Sequence, residues 1–173
     1  MKIKPLPPDA LRLCGELNAP KRLVEHLALV HDAAVRICAG IDRAWPELSF
    51  DKRAVLIGAA THDLGKVRHP SELSRPGNKH VVDGPALLRK HGLPMELTRF
   101  ASTHELWQRC DALEDLLVAL ADHVWKGSRS ESLELRVTEM ISALTGQEKW
   151  KVFGTLDRIL ERIAGGSGGW RGR

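Results

Sequence analysis

His62 and Asp63 stand side by side in the segment Ala59-Ala60-Thr61-His62-Asp63-Leu64-Gly65-Lys66. Imidazole nitrogen suits zinc, iron, nickel or copper, and carboxylate oxygen also takes magnesium or manganese. Adjacent side chains on a helix point about 100° apart, so both reach one ion only at an exposed helix end. Leu64-Gly65 is read as that end, with the glycine in the left-handed cap conformation. By itself the dipeptide is more often an ordinary polar helix terminus, so its meaning depends on what else converges on it. Candidates come from the other histidines (His26, His31, His69, His80, His91, His104 and His123) and from Asp122, which follows a strongly apolar run. An unpaired carboxylate is costly to bury and calls for a cation or donors. Imidazoles and carboxylates delivered one at a time from four or five helices are how helical bundles build internal metal sites.

The elements that would carry these residues are helices. Tyrosine is absent, β-branched runs are short, and leucine and alanine recur at helical spacing, which predicts an all-α chain. A short helix is expected from Pro7-Pro8-Asp9 to Asn18. A long one follows over about 21–44, with Leu23, Leu27, Val30, Ala34, Ile37 and Ile41 on one face. Asp51 is a fair N-cap for an apolar helix over 52–64. Residues 65–79, with Gly65, Pro70, Pro76, Gly77 and Asn78, read as a loop with one turn around 71–73. Helices are then expected over 80–91, from Pro94 to about 107, and over 110–125, 130–144 and 148–164. The Gly-rich segment 165–173 reads as a flexible tail on one domain of residues 1–164.

This pattern resembles the HD superfamily of metal-dependent phosphohydrolases, whose mark is a histidine on an early helix, an HD pair and a distant aspartate. Here these are His26, His62, Asp63 and Asp122, within roughly residues 20–130. His80 and His104 match in position the two further histidines of a two-metal branch. The stretch from Leu120 to Arg129 is similar to the closing motif of the HD-type symmetrical diadenosine tetraphosphate hydrolases, with His123 where a lysine usually follows the aspartate. The resemblance implies an HD-domain helical bundle with its metal site in the core. In it Asp63 bridges two ions, His26, His62 and Asp122 complete one shell, and His80 and His104 hold the other ion. His31 lies on the same helix as His26 and periodicity does not separate them. His26 is preferred because Val30, Ala33, Ala34, Ile37 and Cys38 continue the family's early-helix pattern for three turns. Lys66 and Arg129 are candidate contacts to a substrate phosphate, with Arg68 and Arg75 weaker. His69, His91 and His123 are read as surface or secondary residues.

The expected cofactor is one or two divalent transition-metal ions, among iron, manganese, cobalt, nickel and zinc, because a histidine-rich shell disfavours magnesium. The 173 residues carry 43% hydrophobic and 28% charged side chains and a net charge of +4. That charge suits a small anionic phosphate substrate, nucleotides included, and no dense basic block marks a nucleic-acid surface. No segment is long and apolar enough for a membrane. Three widely spaced cysteines and the lack of a secretory pattern point to the cytoplasm, and homodimerisation is left open. No P-loop, serine-hydrolase elbow or dinucleotide fold is visible. The expected activity is hydrolysis of a phosphoester or phosphoanhydride by metal-activated water. A di-iron oxygenase built on the same ligands, or a non-catalytic HD regulatory or binding module, are the alternatives.

Overall fold

A computed structural model of the chain describes residues 3–166. Among them the regular elements are all helical, with no strand, as the apolar periodicity predicts. The first helix, α1 (Pro8–Glu16), leads into α2 (Lys21–Ala44). The α2 stripe Leu23, Leu27, Val30, Ala34, Ile37 and Ile41 is buried. Each leucine, valine or isoleucine so removed from water contributes about 1.5–3 kcal/mol before ordering entropy is subtracted. α3 (Lys52–Thr61) begins at Asp51, whose carboxylate accepts a hydrogen bond from the Ala54 N–H at 2.9 Å. There follow α4 (Lys79–Lys90), α5 (Met95–Thr98), α6 (Phe100–Thr103), α7 (Leu113–Val124), α8 (Glu131–Thr145) and α9 (Lys149–Gly166). α7 packs against α2, α3 and α8, and its Leu116, Leu117 and Leu120 are fully buried. The tail expected from residue 165 lies, past Gly166, outside the described residues.

The helix end at the His-Asp pair differs from the sequence reading. α3 stops at Thr61, and Asp63 turns the chain at φ −99°, ψ 2° into 3-10 turns over Leu64–Arg68. Gly65 is not among the glycines with positive φ, so it is no left-handed cap. Its role is space: a Cβ there would lie 2.5 Å from the His80 carbonyl oxygen and 3.0 Å from Gly84 Cα. The bare backbone lets α4 lie directly on the 3-10 turn, and this brings His80 beside Asp63. A second 3-10 turn, Pro70–Leu73, falls where the sequence reading places one turn in the loop. The helix expected from Pro94 is broken into α5, α6 and a 3-10 turn at Trp107–Arg109.

Pro85 sits inside α4 and has no N–H for the Val81 carbonyl one turn earlier. The Ser102 hydroxyl, carried on α6, donates to that carbonyl at 2.7 Å. One missing helical bond is thereby converted into a tie between the elements that carry His80 and His104.

Candidate metal centre

α2, the end of α3, α4, the end of α6 and α7 each direct one or two ligand-type side chains to a common point. His26 Nε2 lies 3.3 Å from His62 Nε2, 3.1 Å from Asp63 Oδ2 and 3.4 Å from Asp122 Oδ1. His62 Nε2 is 3.7 Å from Asp63 Oδ2 and 3.6 Å from Asp122 Oδ1. On the other side of the same carboxylate, Asp63 Oδ1 is 3.2 Å from His80 Nε2 and 3.6 Å from His104 Nε2. The two oxygens of Asp63 thus face two different histidine sets. The Lys66 ammonium sits 2.6 Å from Asp63 Oδ2.

The proton positions follow from the outer contacts. His62 Nδ1 meets the Ala59 carbonyl at 3.0 Å, and His104 Nδ1 meets the Phe100 carbonyl at 2.9 Å. A carbonyl can only accept, so each Nδ1 is the donor and, in the neutral ring, each Nε2 presents a lone pair to the cluster. His80 Nδ1 faces Glu72 Oε2 at 2.7 Å, the carboxylate–histidine arrangement that orients metal ligands. Asp63 Oδ1 and His80 Nε2 are buried and make no hydrogen bond, although they are neighbours. Acceptors crowded on acceptors at 3–4 Å call for a cation among them, and the residues fit one or two divalent ions. The sets His26–His62–Asp122, His62–Asp63–His104 and His80–His104–Glu105 each bring ligand atoms within 4.8 Å of one another.

Protonation equilibria carry the same strain. Burial acts to raise the Asp63 carboxyl, but His62, His26, His80 and Lys66 outweigh it and hold it well below the ordinary range. Asp122 is also lowered: burial opposes ionisation, and His62 and His26 overcome it. Burial pushes His62 and His80 down, but Asp63, with Asp122 for His62 and Glu72 for His80, turns both upward. His104 goes the other way, to about 3, because burial and the nearby His62 charge both disfavour its imidazolium. The imidazoles of His62, His80 and His104 therefore differ in proton affinity, and His104 stays neutral where the other two favour a proton.

All six candidate ligands, His26, His62, Asp63, His80, His104 and Asp122, are brought together. His31 belongs to none of the groups; it is buried in α2 with Nδ1 lacking a hydrogen-bond partner. Lys66 lines a cavity of about 320 Å³ at the cluster together with Arg22, Glu25, Glu72, Leu23, Leu29, Leu73 and Trp125. Arg129 departs from the expected phosphate contact. Its guanidinium holds Glu134 at 2.7–2.8 Å and Asp157 at 2.6 Å, and it does not line that cavity. Two carboxylates on α8 and α9 occupy its donors, so it works as a clamp between helices. Among the remaining histidines, His69 pairs with Asp83, His91 with Glu16, and His123 bonds the Ala119 carbonyl. Glu72, Arg22, Glu105 and Trp125 were not legible as site residues. An acid in the loop before His80 is the single signal that could have found Glu72.

The fold and the cluster define an all-α domain with a buried histidine–aspartate centre able to hold metal. The HD domain family matches residues 23–125, and the chain belongs to that family, whose members are generally metal-dependent phosphohydrolases. It is also 33% identical over 132 residues to a ribonuclease Y of Thermus thermophilus. That similarity covers 75% of this chain but only 22% of the relative. No solved structure matches. Among the described residues no helix is long and apolar enough to cross a membrane.

Proposed function

We propose that this chain is a metal-dependent phosphohydrolase that cleaves a phosphoester or phosphoanhydride bond of a nucleotide-type substrate. The observation that carries the reading is Asp63, whose two oxygens face separate histidine sets, with the Nε2 lone pairs of neutral His62, His80 and His104 turned inward. His26, His62 and Asp122 would hold one ion, His80 and His104 a second, and Asp63 would span both. Bound divalent ions would supply an activated water and offset charge on the phosphoryl oxygens. Lys66 and Arg22 lie on the cavity wall, placed to hold phosphate oxygens. Trp125, whose ring meets His26 edge-on at 5.3 Å between centroids, closes the apolar side and keeps bulk water from it.

Two substrate classes follow from separate observations. The segment around Asp122 is similar to the closing motif of diadenosine tetraphosphate hydrolases, with the departure at His123, and this supports a phosphoanhydride. The match to a ribonuclease Y supports a phosphodiester. Protein purified without chelators or a histidine tag should contain one or two transition-metal ions per chain by elemental analysis. Incubation with diadenosine tetraphosphate, bis(4-nitrophenyl) phosphate and nucleotides in zinc or manganese, without oxygen, should release product from at least one. Asp63→Asn should lose metal and lower turnover at least about 100-fold; wild-type turnover in that variant would sink the reading.

A further inference from the structure

A second cationic feature lies away from the cluster, where α9 crosses α2. The crossing is close: a Cβ on Gly40 would lie 2.7 Å from Ile159 Cγ2. Two adjoining cavities, about 230 and 150 Å³, flank this contact. Arg43 and Arg162 line both, Arg36 lines the first and Arg158 the second, and no carboxylate lines either. Arg36 is paired with Asp32 at 2.6 Å, and Arg158 donates to Thr155 Oγ1 at 3.0 Å. Among the described residues the side chains of Arg43 and Arg162 have no ion pair or hydrogen bond. The guanidinium groups of Arg43, Arg158 and Arg162, gathered on one groove without a carboxylate partner, repel one another and present forked donors that match phosphate oxygens.

The groove also points toward the cluster. Arg22, Arg36 and Arg43 follow one another on α2 at multiples of seven residues, a spacing that keeps side chains near one helix face. Arg22 lines the cavity at the cluster. At 1.5 Å per residue, Arg36 lies about 21 Å along the helix from it and Arg43 about 10 Å further. One face of α2 therefore runs from the metal centre to the arginine groove.

We propose that the α2–α9 groove binds the phosphate backbone of single-stranded RNA, whose chain then follows α2 to the His–Asp cluster. The small cavities and the file of arginines along α2 suit one strand. The match to a ribonuclease Y favours RNA among linear phosphate polymers. For its catalytic meaning this inference rests on the phosphodiester reading above, but RNA binding is measurable apart from catalysis. It also departs from the expectation that the partner is a small phosphate. Arg36 and Arg43 are far in sequence from Arg158 and Arg162, so no basic block shows in the chain.

The test uses the full chain in EDTA at about 50 mM salt, with a labelled single-stranded RNA of about 12 nucleotides read by fluorescence anisotropy. Wild type should bind, and R43E/R162E should bind at least tenfold more weakly. The salt dependence, log K against log salt, should flatten by about 1–2 in that variant, since each single-strand phosphate contact contributes about 0.7. R43Q/R162Q should fall between the two, with thermal melts matched to show that folding is intact. Asp63→Asn should retain binding. Equal affinity of R43E/R162E and wild type, or no binding by wild type, overturns the groove; so does RNA binding that depends on Asp63 but not on the arginines. Hydrolysis of bis(4-nitrophenyl) phosphate by wild type in manganese is read separately. Its absence removes the phosphodiester reading and leaves the RNA groove standing.

Discussion

Glu72 does for His80 what backbone carbonyls do for His62 and His104: it accepts a hydrogen bond from Nδ1–H and turns Nε2 inward. Its carboxylate also accepts the N–H groups of Lys79 and His80, which pins it at the start of α4. Glu72→Gln keeps the shape but weakens that orientation, and it should lower metal affinity about 10–100-fold. Competition with a coloured chelator measures this, and unchanged affinity would count against the positioning role. Burial pushes the Glu72 carboxyl upward, but the hydrogen bonds from His80 and the backbone bring it from 4.5 down to about 2. A depressed folded pKa gives stability that is full above pH 4.5 and is lost as the pH falls toward 2. In metal-free protein, the melting-temperature gap between wild type and Glu72→Gln should therefore be widest above pH 4.5 and close toward pH 2. At this scale the six His and Asp positions were legible through the resemblance to the HD superfamily, since spacing alone did not separate His26 from His31. Glu72 and Arg129 were not, since their roles depend on partners that the fold alone brings near.

At the level of elements, α2, α3 and α7 were legible from apolar spacing, and the bounds of α2 are those the periodicity predicts. The segment between α3 and α4 was not. A Gly after a helix reads as a left-handed cap, whereas Gly65 serves the contact with α4, a tertiary cause that no local pattern records. The Pro94–Trp107 stretch fractures for a related reason: α6 is held by α4 through Ser102, and the chain bends to meet that tie. Removing the hydroxyl leaves the Val81 carbonyl without a donor, so Ser102→Ala should cost about 1–2 kcal/mol in urea unfolding. Pro85→Ala restores an N–H to α4. In that background the same Ser102→Ala substitution should cost less, and additive effects in the double-mutant cycle would contradict the link.

Across the whole molecule, the cluster gathers residues from His26 to Asp122, while two apolar clusters carry the packing independently of it. The metal-free chain should therefore fold, with bound ions adding stability by mass action. The gain is about 4 kcal/mol at a thousandfold excess over the dissociation constant. EDTA should lower the melting temperature of wild type and leave that of Asp63→Asn unmoved; scanning calorimetry distinguishes the two. The halves of the cluster are also supported differently. His26, His62 and Asp122 stand on α2, α3 and α7, the packed frame, whereas His80 is steadied by a carboxylate from the Pro70–Leu73 turn. Metal held by His26, His62 and Asp122 would then exchange more slowly than metal held by His80 and His104. The latter would fill later and leave first, so that its occupancy would set turnover at limiting metal. Calorimetric titration should resolve two steps, and Glu72→Gln should weaken only the later one.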